Sequence, residues 1–457
     1  MLWRCSCCPV LVCLALRTGE IILSEHECTM NSALPYSGIE PSLTPRLADG
    51  GRAQTRPGTQ VKSLLVRKYE TLADVESLRP CWDELLREFP GATTFSSWEW
   101  LAPWWGAFGQ GRQLMMLEFL DEHSDLVGLA PLCVEKCRVI GFMQLRVLRF
   151  WGDGSGDSDN LDFPVRVGYE NEVAAAMLHY LSEESSRWDY CELNTMPEGS
   201  AVGNCLTWHL HQRAWLFYHH QQTGSAISLP ESWEEYRAQL SSKERGKVNY
   251  RNNLLERKYQ VRYYRCENEG ELGVCLDILF TLHQKRWQSA GEPGSFGSAA
   301  RRKFYAEMAA LLLERGCLEF WVLDLNDSPV ATQFGFCFDR TFFSLQEGYD
   351  PLFSVDSVGY VLRAHVIRHL IAAGVRRYDF LAGEAESKAR WNAGVTQYRS
   401  VHFARPASRG SIYLRTIKSA TDSKEWLRQK LPDGAWQALH WLNCTLLGIK
   451  KRTSRKA

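Results

Sequence analysis

The sequence predicts an α/β chain built from two tandem copies of one plan, each a mixed β-sheet flanked by helices. Two hairpins are the first sign. Leu114 to Leu120, a polar turn at Asp121 to Asp125 and a return from Leu126 to Val134 are repeated as Leu318 to Leu325, Asn326-Asp327-Ser328 and Pro329 to Phe338. A helix and a strand then follow in each copy: Val173 to Ser185 leads to Trp188–Leu193, and Val358 to Ala373 leads to Arg377–Leu381. The third observation is size, since 457 residues that are 45% hydrophobic and 12% aromatic suffice for two or three domains with cores. The match between copies lies in pattern, not identity.

The stretch from Thr341 to Trp391 carries most of the functional signal. Phe342 to Tyr349 reads as a strand of aromatic and apolar residues ending at Gly348 and Asp350-Pro351. Val358, Val361, Leu362, Val366, Leu370 and Ala373 recur at helical spacing, with Ser357 as N-cap and Gly374 at the left-handed C-terminal position. Amides exposed at this helix start, beside Gly359, would suit a pyrophosphate. A plain strand-helix crossover would read the same way. Upstream, helices are expected from Trp233 into Lys258 and from Glu271 to Gln288, and past Pro406 the chain turns helical again with Trp426, Leu427, Trp436, Leu439 and Trp441 available for packing.

Three blocks then narrow the reading. From Gly359 the text runs GYVLRAHVIRHLIAAGVRRYDFLAGEAESKARW; Leu282-His283-Gln284-Lys285-Arg286-Trp287 is followed by Gly291, Pro293, Gly294 and Phe296; and Phe95, Ser96, Trp98, Leu101, Trp104 and Trp105 precede Leu126 to Leu132. Together, from Lys62 to Pro406, these resemble a bacterial acetyltransferase family of the GNAT superfamily, CelD-like or BioF-like and associated with cellulose biosynthesis. Val358 stands where that family usually has Pro, and Ser387 where an aromatic is common.

The resemblance implies two tandem GNAT-like (acyl-CoA N-acyltransferase) domains and direct transfer of an acyl group from acyl-CoA to an amine. Acyl-CoA would be a cosubstrate, with no permanently bound cofactor, and the acceptor a small molecule such as an amino sugar or an envelope or exopolysaccharide precursor. Fem-type aminoacyl transferases share the doubled fold and use aminoacyl-tRNA, which is the alternative donor; a non-catalytic scaffold in polysaccharide biosynthesis is a third reading. The expected coenzyme site is Gln346, Ser357, Val358, Gly359 and Tyr360. Glu347, at a strand end beside Gly348, is the first candidate base, with His283 as the alternative and Lys388 stabilising the carbonyl or an acceptor anion. Arg286, Asp159, Arg390 and Trp391 are expected to border the acceptor.

Charge and composition limit the partners. Lys+Arg and Asp+Glu are both 53, so nothing biases the whole chain toward DNA or an anionic bilayer. The run Lys243 to Arg265 is locally basic and reads either as a solvated helix face or as a landing place for coenzyme phosphates. No metal is expected: counted from Asp153, the twelfth position is Pro164 and the sixth Ser158, and His209, His211, His219 and His220 lack a Cys pair. The 15 Cys, without a Cys-x-x-Cys in the body of the chain, fit a reducing cytoplasm. Residues 1–60 read as a disordered leader with an overextended start, Pro9 to Leu16 being too short to span a bilayer. The expected domains are then 61–220, 225–406 with the acyl-CoA site, and a helical tail over 407–457, joined near Gln221 to Ser225.

Overall fold

The computed structural model describes residues 63–140, 143–383 and 386–430. The leader expected over 1–60 lies outside the described residues, as do Trp436, Leu439 and Trp441 of the tail. The first half runs β1 (Leu65–Tyr69), α1 (Leu72–Glu76), α2 (Arg79–Glu88), α3 (Trp98–Phe108), β2 (Arg112–Leu120), β3 (Leu126–Ile140), β4 (Met143–Phe150), α4 (Glu170–Glu183), β5 (Tyr190–Pro197), α5 (Ala201–Gln212) and β6 (Leu216–Ser228). The second continues with α6 (Trp233–Gln239), α7 (Ser242–Lys258), β7 (Val261–Arg265), α8 (Glu269–Ser289), α9 (Ala299–Glu314), β8 (Leu318–Leu325), β9 (Ser328–Phe338), β10 (Thr341–Tyr349), α10 (Val358–Ala372), β11 (Arg377–Ala382), α11 (Glu386–Ala389), β12 (Gly394–Ala404) and α12 (Arg409–Lys430).

Local chemistry explains most boundaries. The tight turns of the second half sit on left-handed pairs, Asn326-Asp327 between β8 and β9 and Asp339-Arg340 between β9 and β10, the geometry that matches strand twist in two-residue hairpins. Gly374 is left-handed (φ +80) at the end of α10, as its position in the sequence suggests. The helix expected from Trp233 into Lys258 is instead two. Leu240 is extended (ψ 151), and Ser241 caps a new start by accepting from the Glu244 amide. Helix α9, which the periodicity reading omits, has its own signal in Ser298, whose side chain accepts from the Arg301 amide, and in buried Phe304, Tyr305, Met308 and Leu312.

All twelve strands join one sheet in the order β1-β2-β3-β4-β5-β12-β6-β11-β10-β9-β8-β7. Read from either edge, the roles repeat: an edge strand, a hairpin, a third antiparallel strand, then a parallel neighbour. The parallel pairs are β4 with β5 and β10 with β11. The last strand of each half is exchanged. β12 bonds to β5, β6 bonds to β11, and the two pair with each other from Gly394↔Ala226 to Ala404↔Leu216. Residues 221–225, expected as the join, therefore lie inside β6. The symmetry extends to a strand distortion: Thr195 in β5 (φ 54) and Leu381 in β11 (φ 63) are both left-handed where the ladder to the exchanged strand slips register.

One aromatic cluster ties the halves together. Trp100 of α3 stands edge-on to Phe304 at 5.0 Å and Phe336 at 5.7 Å, and Phe95 meets Phe336 at 5.5 Å and Phe343 at 5.7 Å. On the opposite face of the second half, α10, α7 and α6 cover the sheet through Val366, Ile367, Leu255 and Tyr236. Helix α12 docks Tyr413 and Leu414 against Cys137, Leu145, Val147 and Tyr190 of the first half. Among the described residues no helix is long and apolar enough to cross a membrane.

Candidate active site

The site is a gap that the sheet itself opens. β10 and β11 pair only through Thr341↔Arg377, Phe342↔Tyr378 and Phe343↔Asp379. Beyond that point Leu345 bulges out of the ladder to β9, and β10 runs on to Tyr349 with β9 on one side only. Main-chain groups on the other side thus face the gap. Tyr378 closes its root, its hydroxyl accepting from Gln333 Nε2 at 2.6 Å and donating to Ser344 Oγ at 3.2 Å.

The mouth is the start of α10. Ser357 occupies the N-cap position in a left-handed conformation (φ 60), and its side chain does not cap. The amides of Tyr360 and Val361 return to the Ser357 carbonyl at 3.0 and 3.1 Å, leaving those of Val358 and Gly359 outside that turn. A Cβ placed on Gly359 would find only Tyr349 Cδ1 at 3.7 Å, so the space beside this Cα is open. No acidic residue stands in the first turn, which leaves the positive end of the helix dipole uncancelled. The preceding loop is held rigidly: Lys285 binds Asp350 at 2.8 Å, Lys258 binds Asp356 at 2.7 Å, and Arg251 donates to the Val355 carbonyl at 2.7 Å. Much of the basic run is therefore internally paired, with Arg262 on Asp324 and Arg265 on Glu319 as well. Lys247 remains beside the mouth, 4.6 Å over the Tyr360 ring.

Inside the gap, Glu347 is gripped by Arg363 of α10, whose Nη2 lies 2.6 and 2.5 Å from the two carboxylate oxygens. Burial alone would raise the Glu347 carboxyl, but Arg363 outweighs it and holds the group below the ordinary carboxylate range. Lys388 donates to the Gly383 carbonyl, and burial lowers its ammonium against the opposing pull of Asp159 and Asp379. Asp159 arrives from the first half, accepting from the Ala382 amide at 3.0 Å. Arg286 reaches the Glu347 carbonyl only loosely, at 3.4 Å, and lies 5.3 Å over Tyr349.

Other expected residues are placed differently. Trp391 is buried (1% exposed), its ring tilted against Tyr360 at 4.5 Å and 5.6 Å from the Arg363 guanidinium, so it supports the wall of the gap rather than presenting a face to it. Arg390 is exposed. Gln346 and His283 lie behind β10, on the α8 side, where burial takes His283 down to about 4 and its Nδ1 has no partner. Gly348 does not open the strand edge: an added Cβ would meet the His283 amide nitrogen at 2.6 Å, because the α8 backbone lies directly on the strand. Arg363, the partner of Glu347, was not foreseen; its signal is a lone cation one turn after Gly359, amid buried Val361, Leu362, Ala364, Val366 and Ile367.

Among its described residues the first half has no such opening. β4 stops at Phe150, and the loop after it sends four carboxylates in four directions. Asp153 accepts from Asn194 at 2.9 Å, Asp157 binds Tyr305 and Arg301 at 3.0 Å each, Asp159 takes the Ala382 amide, and Asp162 accepts from Ser200 at 2.8 Å. They do not converge on a cation, and no cluster of three or more His, Cys, Asp or Glu suited to a metal occurs among the described residues. The space between β4 and β5 holds Arg149, paired with Glu135 at 3.3 Å and Glu192 at 3.1 Å, together with Asn194 and His402.

Comparison with known proteins agrees with this geometry. Residues 242–389 match the acetyltransferase (GNAT) domain family. No curated protein matches the sequence. Among solved structures, FemX is similar at 10% identity with a TM-score of 0.50, covering 73% of this chain and 96% of its own. A protein of unknown function from Bacteroides thetaiotaomicron is similar at 15% identity and a TM-score of 0.49 (75% and 100% covered), and a tandem GNAT protein from the clavulanic acid biosynthesis pathway at 11% and 0.41 (75% and 98%). The chain is thus a mixed α/β fold with one large sheet flanked by helices, and its residues 242–389 match an acetyltransferase (GNAT) domain.

Proposed function

We propose that the protein moves an acyl group from acyl-CoA to a small-molecule amine in the gap between β10 and β11. The observation that carries this reading is the splayed parallel pair opening beside an acid-free helix start, with no side chain on Gly359 to crowd it. The pyrophosphate would rest on the Val358 and Gly359 amides, with Lys247 and Tyr360 alongside. The thioester would lie along β10 past the Leu345 bulge, where main-chain N–H groups can stabilise an oxyanion.

The acceptor nitrogen attacks the thioester carbonyl, forming the C–N bond; the C–S bond breaks and the departing thiolate takes a proton. The proton lost from nitrogen passes to Glu347, which Arg363 keeps ionised and aimed. Its low basicity suits an amine that enters already neutral. Lys388, beside Asp159, would stabilise charge on the acyl oxygen or orient the acceptor.

Calorimetric titration of coenzyme A tests the reading. Wild type should bind, and Gly359→Asp should not, since the new carboxylate blocks the amides and repels phosphate. A wild-type protein that fails to bind both coenzyme A and acetyl-CoA defeats the proposal.

A further inference from the structure

We infer that helix α12 seats the protein on the surface of an anionic lipid bilayer, a partner that the acyltransferase reading neither needs nor supplies. The balanced charge of the whole chain conceals how that charge is distributed. Residues 409–457 hold 11 Lys and Arg against 3 Asp and Glu, so residues 1–408 carry the compensating excess of acid. In α7 and β7 the cations Lys258, Arg262 and Arg265 are spent on Asp356, Asp324 and Glu319, whereas Arg415, Lys418 and Lys430 of α12 stand exposed.

The helix has two faces. Tyr413 and Leu414, with Ile417 beside them, fix one face to the first half. On the outer side Ile412, Arg415, Ser419, Trp426 and Lys430 recur at helical spacing, and all five are exposed. Ile412 is 63% exposed and Trp426 59%, and a helical rise of 1.5 Å per residue sets them about 21 Å apart along the axis. Large apolar side chains in one stripe with cations are what a helix lying in a membrane interface presents. The indole and the isoleucine enter the headgroup boundary, and Arg415, Lys418 and Lys430 meet lipid phosphates.

A hollow of about 400 Å3 opens beside this stripe, between the end of α5, the start of β6 and α12. Arg415 stands in its lining with Trp215, Leu216, Phe217 and Pro406, so a cation and apolar walls share one recess a single turn from Ile412. Charge selects an anionic partner, and the apolar groups select lipid over nucleic acid. A duplex would neutralise Arg415 and Lys418 but leave Ile412, Trp426 and the hollow in water. Past α12 the sequence continues the same mixture, with Trp436, Trp441, Leu446 and Leu447 preceding Lys450-Lys451-Arg452 and Arg455-Lys456. Since no helix among the described residues could cross the bilayer, the attachment inferred is to its surface.

Flotation of the full chain with vesicles tests the inference, using phosphatidylcholine alone and phosphatidylcholine with phosphatidylglycerol at about three to one. The protein should float with the anionic vesicles and not with the neutral ones, and raising NaCl from about 0.1 M to about 0.5 M should release most of it. Trp426→Ala and Arg415→Glu should each lower the partition coefficient by about tenfold. Lys303→Glu, the same change of charge on α9, should stay within about twofold of wild type. Lys418→Glu should match Arg415→Glu, which covers the case in which Arg415 is needed for folding. Floating with neither vesicle, equal floating with both, equal loss in Lys303→Glu and Arg415→Glu, or retention on a DNA duplex that anionic vesicles do not displace would each overturn the inference. Coenzyme A affinity should be the same in all these variants, so the result stands or falls apart from the acyltransferase reading.

Discussion

The two halves share a strand order and a bulged, left-handed residue at Thr195 and Leu381, yet they treat the space between their parallel strands in opposite ways. In the second half β10 continues six residues past its last parallel contact, Phe343, to Tyr349, and the gap is lined by Glu347, Arg363 and Lys388. In the first, β4 ends one residue after its last parallel contact, Arg149, and Asp153, Asn194, Glu192 and Arg149 fill the gap with hydrogen bonds. The helix starts differ in the same sense. α4 has Glu170 and Glu172 in its first turn, with Glu170 accepting from the Gly168 amide at 2.9 Å, whereas α10 has no acid there. On the proposed reading, strand length and first-turn charge, rather than the shared fold, make one half suited to a phosphate and a thioester.

The largest effect that could break this contrast lies in the open gap. Glu347→Gln should lower turnover by about a hundredfold to ten-thousandfold while coenzyme affinity stays near wild type, measured by steady-state kinetics and calorimetry. A variant with full turnover would make Glu347 structural, like Glu192 in the closed gap. In that closed gap, Arg149→Met should destabilise the fold by about 3–5 kcal/mol in denaturant unfolding, because Glu192 and Glu135 lose their buried partner, and coenzyme binding by the folded fraction should not change. Loss of coenzyme binding there would assign the first half a part in the donor site. Gly348→Ala should cost about 1–3 kcal/mol of stability, since α8 must shift off β10, and it should also move His283 and reduce activity.

The smallest effect is a pH slope. Burial holds His402 down to about 4, between Tyr190 and Asn194, while an unfolded chain protonates near its ordinary value of 6.5. Between those values the unfolded state binds more protons, so stability falls as pH drops from 6.5 to 4 and is level above. Removing the imidazole in His402→Gln should narrow the melting-temperature gap to wild type as pH is lowered through that window. A gap that stays constant would mean that His402 titrates normally in the folded protein.

The hairpins and the Arg377 strand were legible as apolar runs bounded by polar turns, and the Val358 helix by its 3.6-residue periodicity, because each of these signals is local. Ser357 to Gly359 was legible as a helix start for the same reason, although not the left-handed turn that replaces a side-chain cap. The exchange of β6 and β12 was not, because strand partners depend on contacts between Leu216 and Ala404 that no local window contains. The grip of Arg363 on Glu347, and the arrival of Asp159 from the other half, are equally nonlocal. Trp391 and Gly348 were given functional roles where packing uses them, since an aromatic or a glycine next to a charged residue looks alike in either setting.

The exchanged strands also bear on how the protein is made. While the chain leaves the ribosome, the first half emerges with β5 lacking its neighbour, which is β12 and is synthesised about two hundred residues later. An exposed edge on β5 then persists through most of translation, with β6 held for a partner not yet complete. Neither half is a segment that could be released, truncated or expressed alone and still close its sheet. Nascent chains stalled before Gly394 should be the aggregation-prone species, and assistance during synthesis should matter most there.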